Sequence, residues 1–286
     1  MTDTATVQSA EVPPGKGAGD ENFPVGSFLL PARLRPHVAV FYAYARAIDD
    51  VADNAVLTPG EKIDRLEGFA AAIRGENDDP AYDTARRMRE SLLATDITMK
   101  HCLDLISAFK QDAVKTRYGN WHELIDYCDR SAAPVGRYLL DLHGEDPADY
   151  RYSDALCNAL QVINHLQDCQ DDYRQLDRVY LPLDWLGEAG GTIEDLDAPG
   201  MNAALRTVVD KCLQDCRGLM AEARLLAPHL KSRRLAAESA TIVKIALKLI
   251  DELSRRDPIA ERVELTKPQF LICGVAGTLS ALFRRD

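Results

Sequence analysis

Oxygen-bearing side chains recur every fourth residue in one otherwise apolar stretch, residues 163–182. If this stretch is helical, Asn164, Asp168 and Asp172 fall within a sector about 80° wide, because successive helix residues turn by about 100°. Like charges four residues apart repel by only about 0.2 to 0.5 kcal/mol per pair, so a solvated helix face tolerates them. The pattern alone therefore permits either an acidic solvent face or a set of metal ligands.

A second stripe lies in residues 41–54. On a helix, Tyr42, Arg46, Asp49 and Asp53 share a sector about 60° wide. Since Asp and Glu are mostly exposed, either stripe alone is interpreted as an acidic patch that faces solvent. Two stripes on different helices, each embedded in apolar sequence, favour the alternative that they face each other across a cavity.

Facing stripes would gather oxygen-bearing side chains with no His or Cys among them. The predicted ligands are Asp49, Asp53, Asn164, Asp168 and Asp172. Hard oxygen ligands favour magnesium over zinc, and protein-bound magnesium usually shares its coordination with substrate phosphates. Arg46 and Arg178 are expected to donate to phosphate oxygens, so the sequence predicts a site that draws off a diphosphate leaving group.

Other kinds of enzyme lack their usual signatures here. None of the six His residues lies in an E-x-x-H or H-E-x-x-H pattern, which argues against a di-iron bundle or a zinc hydrolase. His165, beside Asn164, is interpreted as a packed or supporting side chain rather than a ligand. No G-x-G-x-x-G sequence occurs, so a Rossmann nicotinamide site is not indicated.

The elements that must position these residues are helices, since apolar residues return at intervals of three and four from Leu34 onward. Helices are predicted over residues 35–54, 61–74, 81–93, 99–117, 121–143, 153–173, 202–226, 233–256 and 268–283. No segment alternates apolar and polar residues long enough to predict a sheet. We therefore predict an all-α, single-domain helical bundle with a central cavity, spanning residues 21–286 after a disordered tail at residues 1–20.

Composition excludes some partners. The chain has 45 acidic and 34 basic residues, a net charge of -11, so it would be repelled by nucleic acid. Its seven Cys residues form no C-x-x-C pair and no zinc-like spacing with His, which is typical of thiols in a reducing cytoplasm. Residues 1–20 do not resemble a signal peptide.

The longest apolar run, residues 270–283, is shorter than the roughly 20 residues that a bilayer-spanning helix needs. We interpret it as a buried C-terminal helix. The alternative is a helix that docks on a membrane surface, because Arg284 and Arg285 lie directly beside the run. The expected location is the cytoplasm, either free or peripheral on the cytoplasmic membrane.

Taken together, the motifs resemble the squalene and phytoene synthase family. Its members carry a first D-x-x-x-D, here Asp49 to Asp53, and a second D/N-x-x-x-D-x-x-x-D, here Asn164 to Asp172. An R-x-Y-[LF]-P segment follows the second motif, here RVYLP. The resemblance covers residues 21–283 and implies the all-α isoprenoid synthase fold and a magnesium-dependent reaction of a prenyl diphosphate.

Within the family, the chain is most similar to the bacterial branch that serves hopanoid synthesis. The similar stretches are ENFPVGSFLLPARLRPHV, YCDRSAAPVGRYLL and NHLQDCQDDYRQLDRVYLP. This similarity implies presqualene diphosphate as the substrate, water as the nucleophile, and hydroxysqualene and diphosphate as the products. It implies Mg²⁺ as the cofactor and no use of NADPH.

The resemblance also implies roles for individual residues. The magnesium positions of the family correspond to Asp49, Asp53, Asn164, Asp168 and Asp172. Positions near the diphosphate correspond to Tyr42, Arg46, Arg178 and Tyr180. Gln161 corresponds to a position beside the prenyl chain, and Tyr127 to one in the reaction cavity. Two positions depart from the pattern: residues 128–130 stand where squalene synthases tend to carry aromatic residues, and Gln167 stands where relatives often carry Arg. Asp171 is an additional acid without an assigned role.

Two alternatives remain open at this stage. One is another head-to-head synthase that condenses two prenyl diphosphates to presqualene diphosphate, squalene or phytoene. The other is a non-catalytic helical assembly factor, although such relatives would be expected to have lost the acidic stripes. The oligomeric state is not predicted.

Overall fold

The structure is a computed structural model that describes residues 30–283. The predicted tail at residues 1–20 lies outside the described residues. The described chain forms α-helices joined by short loops, and the only pairing of extended backbone in it is one isolated bridge between Arg117 and Val179. The prediction of an all-α fold is confirmed.

Thirteen α-helices follow one another along residues 30–283. They are α1 (Arg35–Asp53), α2 (Pro59–Arg74), α3 (Asp83–Thr95), α4 (Lys100–Asp112), α5 (Trp121–Ser131), α6 (Ala133–His143), α7 (Tyr150–Gln167), α8 (Cys169–Leu176), α9 (Leu183–Glu188), α10 (Ala203–Ala223), α11 (Leu226–His229), α12 (Arg233–Leu253) and α13 (Lys267–Phe283). Short 3₁₀ turns lie at Pro80–Tyr82, Pro147–Asp149 and Ile193–Asp197.

The described helices divide into two compact units. The first comprises residues 32–114, and the second comprises residues 30–31 and 115–283. Each unit has its own buried apolar residues. Whether both belong to one domain with a central cavity stays a prediction.

In the first unit, α1 packs against α2, α3 and α4. The apolar stripe of α1 is buried, with Ile48 and Val51 fully enclosed, and the Tyr44 hydroxyl donates to the Cys102 carbonyl of α4 at 3.1 Å. At the start of α2, Thr58 and Glu61 form a capping box, which satisfies backbone N–H groups that the first turn leaves unpaired. Burying one stripe of α1 leaves its polar stripe at the edge of the unit.

In the second unit, α7 packs against α5, α6, α10 and α12. The crossing of α6 and α7 requires a glycine, since a Cβ at Gly136 would lie 2.2 Å from Ser153 Oγ. The crossing of α12 and α13 is equally close, because a Cβ at Gly277 would lie 2.4 Å from the Cα of Thr241. Helix axes can approach this closely only where a side chain is missing.

Three predicted helices end or break earlier than expected. The helix predicted to reach residue 117 ends at Asp112, because Thr116 and Arg117 pair with the extended segment around Val179. The helix predicted over residues 121–143 breaks at Ala132, whose φ of -120° is not helical, just before Pro134. The helix predicted over residues 153–173 breaks at Asp168.

Candidate active site

The polar stripe of α1 lies beside its buried apolar stripe. Tyr42, Arg46, Asp49 and Asp53 are all half-buried, as expected for one face at the border between the core of the first unit and its surface. Burial of Phe41, which precedes Tyr42, fixes the rotation of the helix. The structure therefore places these four predicted residues on one helix face.

Arg46 is held in place by the acids of its own helix. Its Nη1 donates to Asp49 Oδ2 at 2.8 Å, and its Nη2 lies 3.9 Å from Asp50 Oδ1. Partial burial and the neighbouring Asp53 carboxylate nevertheless raise the pKa of Asp49 to about 8. One guanidinium does not offset the repulsion among these carboxylates, and a bound cation would add further positive charge.

The second acidic stripe follows a break between helices rather than one continuous helix. Asp168 ends α7 and precedes α8, with φ -103° and ψ 10°. Helical hydrogen bonding nevertheless continues on both sides of the break, since Asp168 N donates to the Asn164 carbonyl at 2.9 Å and Asp172 N donates to the Asp168 carbonyl at 2.8 Å. Asn164, Asp168 and Asp172 thus keep their four-residue spacing across the junction.

Two glutamines anchor this junction to neighbouring loops. Gln167 Nε2 donates to the Val263 carbonyl at 2.5 Å, and Gln170 Nε2 donates to the Leu196 and Ala198 carbonyls at 2.6 and 2.8 Å. Gln167, one departure from the family pattern, therefore makes a backbone contact. On the same side of the junction, Arg262 Nη1 lies 3.9 Å from Asp168 Oδ1.

His165 connects several of the predicted residues. Its buried ring lies between Gln161 and Asp172, with Nε2 3.2 Å from Gln161 Nε2 and Nδ1 3.7 Å from Asp172 Oδ2. The Gln161 amide can donate to Nε2 when that nitrogen carries no proton, and Nδ1–H then faces the carboxylate. From the sequence, His165 was interpreted as a packed or supporting residue, but its contacts with Gln161 and Asp172 were not predicted.

The RVYLP segment runs in an extended conformation along residues 116–119. Val179 N donates to the Thr116 carbonyl at 2.9 Å, and Leu183 N donates to the Tyr118 carbonyl at 3.0 Å. This pairing buries the side chains of Arg178 and Tyr180. The segment is thereby tied to its neighbour by backbone hydrogen bonds.

Aromatic rings surround His165 in the second unit. The Tyr180 ring stacks on the His165 ring with centroids 3.6 Å apart and planes 16° apart, and Tyr127 and Tyr118 lie 5.5 and 5.3 Å from Tyr180. Tyr118 was not singled out from sequence. A Tyr in a short predicted loop between two helices carries no signal of this role, because its partners are distant in the chain.

The chemistry of the donors suits a hard divalent cation, although the side chains do not form a closed site. Within residues 30–283, no three His, Cys, Asp or Glu side chains come close enough to hold a metal ion. The predicted donors are carboxylate and amide oxygens, which Mg²⁺ prefers, and Mg²⁺ usually completes its coordination with water and substrate phosphate. The crowded carboxylates of α1 fit the same ion.

Comparison with known proteins places these features in one family. The sequence model described as squalene/phytoene synthase matches residues 17–269. Among curated relatives, the hydroxysqualene synthase of Rhodopseudomonas palustris is 40% identical over 97% of this chain and 94% of its own length. The hydroxysqualene synthase of Zymomonas mobilis is 38% identical over 97% of this chain and 93% of its own length.

Solved structures agree with the sequence matches. The squalene synthase HpnC from Alicyclobacillus acidocaldarius has a TM-score of 0.72 at 32% identity, covering 83% of this chain and 90% of that chain. A dehydrosqualene synthase in complex with a ligand has a TM-score of 0.74 at 19% identity, covering 91% and 92%, and so supports the fold alone. The chain therefore belongs to the squalene/phytoene synthase family.

Proposed function

We propose that this chain converts presqualene diphosphate and water to hydroxysqualene and diphosphate with the help of Mg²⁺. The observation that carries the proposal is similarity of 38 to 40% over 97% of the chain to two proteins named hydroxysqualene synthase. All the acidic and amide positions of both motifs are filled, which a non-catalytic relative would not need. The reaction would serve the squalene and hopanoid branch of isoprenoid synthesis.

The predicted metal ligands are Asp49 and Asp53 of α1, Asn164 of α7, Asp168 at the junction and Asp172 of α8. When bound, Mg²⁺ would neutralise the charge of the diphosphate and make it a better leaving group. Arg46 and Arg178 supply guanidinium groups for phosphate oxygens, and Tyr42 supplies a hydroxyl. The contacts of Arg46 with Asp49 and Asp50 restrict its rotamers, which reduces the entropy lost when it binds an anion.

In the proposed reaction, the carbon–oxygen bond to the diphosphate breaks and the bonding electron pair leaves with the diphosphate. The resulting cyclopropylcarbinyl cation rearranges, the oxygen of one water forms a bond to carbon, and that water gives one proton to solvent. Buried tyrosine rings suit the cationic stage, because aromatic faces attract positive charge and apolar side chains exclude bulk water. We assign this role to the buried rings of Tyr127 and Tyr180.

Gln161 is the predicted residue beside the prenyl chain. It is half-buried on α7, next to the enclosed apolar residues Val162 and Ile163. Its amide faces Nε2 of His165, so both groups have a defined orientation. We propose that this polar pair orients the attacking water, since a positioned polar group reacts far faster than one that must be gathered from solution.

The proposal is tested by incubating purified protein and Mg²⁺ with presqualene diphosphate, with and without NADPH, and identifying the products by mass spectrometry. Hydroxysqualene in both mixtures is the expected result, and heavy oxygen from labelled water should appear in it. Squalene that forms only with NADPH would instead support hydride capture, the second candidate, which the squalene synthase HpnC at 32% identity favours. A product assembled from two farnesyl or geranylgeranyl diphosphates would indicate a condensing synthase.

A further inference from the structure

The outer face of α13 is apolar and exposed. Leu271, Ile272, Val275 and Leu279 retain 70, 67, 52 and 45% of their surface and share a sector about 100° wide. The opposite face of α13 is buried inside the protein, because Gly277 and Cys273 pack against α12. Contiguous exposed apolar side chains of this size mark a contact with another molecule or with lipid.

A basic groove lies beside this helix, at the position of Ser280. It has a volume of about 310 Å³ and is formed by the end of α10, α11, α12 and α13. Its apolar floor includes Leu230, Val243 and Leu247. Its cations are Arg224, Arg233 and Lys244, and no Asp or Glu is among its described lining residues.

These three cations are exposed and make no side-chain hydrogen bond or ion pair with the described residues. They stand out in a chain with a net charge of -11, because no carboxylate is among the described lining residues of this groove. Within the described part of the second unit, the other exposed large apolar side chain is Leu225, which directly follows Arg224. Positive charge and exposed apolar surface therefore coincide in one region.

We propose that this region, the outer face of α13 together with the groove cations, docks on the surface of an anionic phospholipid bilayer. The apolar side chains would enter the boundary between headgroups and acyl chains, while Arg224, Arg233 and Lys244 bind lipid phosphates. Helix α13 lies on the membrane rather than across it, since no helix among residues 30–283 is both long and apolar enough to span a bilayer. A second copy of the chain would also cover the apolar face, and sedimentation velocity distinguishes this occupant from lipid.

The test is flotation of the full chain with vesicles of phosphatidylcholine alone or phosphatidylcholine mixed with phosphatidylglycerol. The wild type should float with the anionic vesicles and much less with the neutral ones. Arg233→Gln with Lys244→Gln should lower the affinity for anionic vesicles by at least about tenfold, because each cation near an anionic bilayer is worth about fivefold. The matched control, Arg33→Gln with Arg87→Gln, removes two exposed cations from the first unit and should float like the wild type.

A second pair of variants tests the apolar face. Leu271→Ser with Val275→Ser should lose flotation by a similar factor, whereas Val56→Ser with Leu93→Ser, at two exposed apolar positions of the first unit, should not. Circular dichroism checks that each variant is folded. The proposal is overturned if the wild type does not float with anionic vesicles, or if test and control pairs float equally.

Sedimentation velocity without lipid tests whether a second copy of the chain, rather than a bilayer, covers the apolar face of α13. If the wild type is dimeric, Leu271→Ser with Val275→Ser makes it monomeric and neither form floats, then the face binds a second copy and the membrane proposal fails. Neither assay contains substrate or magnesium. Failure of the membrane proposal is therefore distinguishable from failure of the proposed reaction.

Discussion

The ring of His165 lies flat against the ring of Tyr180, with centroids 3.6 Å apart and planes inclined by 16°. His165 belongs to α7, and Tyr180 belongs to the extended RVYLP segment that follows α8. The same imidazole faces Gln161 through one nitrogen and Asp172 through the other. One buried side chain thus orients three residues that the family resemblance assigns to the substrate and the metal.

We expect His165 to act as a positioning residue. In His165→Phe, the stack on Tyr180 is retained but both nitrogens are lost, so Gln161 and Asp172 lose their orienting contacts. We predict a fall in kcat of roughly tenfold to hundredfold, with little change in the melting temperature, because small misplacements at an active site are costly. Steady-state kinetics and thermal unfolding measure the two effects.

His165→Ala serves as the comparison, since it also removes the stacked ring. It should lose about 0.5 to 1.5 kcal/mol of unfolding free energy that His165→Phe retains. Equal kcat values for the wild type and His165→Phe would show that the two nitrogens have no role in the reaction.

The adjacent acids of α8 give a matched pair of variants. Asp172 is half-buried in the predicted stripe, whereas Asp171 is exposed and has no assigned role. Asp172→Asn should lower kcat/KM by roughly hundredfold or more, since stabilising charge with a metal supplies several kcal/mol. Asp171→Asn should stay within about threefold of the wild type.

The measurement for this pair is product formation over a range of Mg²⁺ concentrations. A ligand defect in Asp172→Asn should be partly relieved by more Mg²⁺, and Asp171→Asn should show the wild-type dependence. If Asp171→Asn is the more impaired of the two, the register of the second stripe is assigned wrongly.

Glu238 of α12 gives the protein a pH-dependent stability outside the candidate site. It is 7% exposed, its Oε2 makes no hydrogen bond, and burial raises its pKa to about 7. The unfolded chain releases this proton at lower pH than the folded chain does. The contribution of Glu238 to stability is therefore greatest below the unfolded pKa of 4.5 and is lost as pH rises through about 7.

Glu238→Gln should remove this dependence. The variant should match the wild type near pH 4.5 and exceed it at pH 8 by up to about 3 kcal/mol in unfolding free energy. Urea unfolding at both pH values is the measurement, with Glu222→Gln as the control for loss of an exposed carboxylate. An advantage of equal size at both pH values would contradict the assignment to Glu238.

The crossing of α6 and α7 should not tolerate a side chain at Gly136. A Cβ there would lie 2.2 Å from Ser153 Oγ and 2.7 Å from Cys157 Sγ, so Gly136→Ala should destabilise the protein by about 1 to 3 kcal/mol. Gly218→Ala is the control, because this helix position has no atom within 4 Å and Ala favours helices by about 1 kcal/mol. Thermal unfolding compares the two variants.

Adding Ser153→Ala to Gly136→Ala tests the cause. Removal of Oγ should recover part of the lost stability, which a double-mutant cycle reports as a coupling between the two positions. Purely additive effects would mean that the close contact with Ser153 Oγ does not limit the crossing.

Local sequence patterns predicted most of the helices but not where they break. Helix α1 was predicted over residues 35–54 and is found at Arg35–Asp53, because its apolar stripe is strong and local. The break at Ala132 follows from Pro134, which cannot continue a helix. The prediction of one helix over residues 121–143 relied on apolar periodicity and did not take this proline into account. The end of α4 depends on pairing of residues 116–117 with residues near Val179, and such long-range contacts leave no periodic pattern.

Some features of the candidate site could likewise be predicted from local sequence patterns, and others could not. Four-residue spacing was enough to propose Asp49 and Asp53 on α1 and Asn164 and Asp172 on α7 and α8, and their role as metal ligands stays a prediction. The position of Asp168 between two helices was not predicted, because the periodic pattern runs through the break without interruption. The contacts of His165 and Tyr118 join segments that are far apart in sequence, so only the fold reveals them.

The break at Asp168 makes the number of residues between Asn164 and Asp172 more important than their types. Two backbone hydrogen bonds span the junction, from Asp168 N to the Asn164 carbonyl and from Asp172 N to the Asp168 carbonyl, so one inserted or deleted residue between Asn164 and Asp172 would turn α8 by about 100°. Asp172 would then point away from His165, while both helices could still form. Natural relatives should therefore vary the residues of this junction freely in type where they face solvent, yet keep their number fixed.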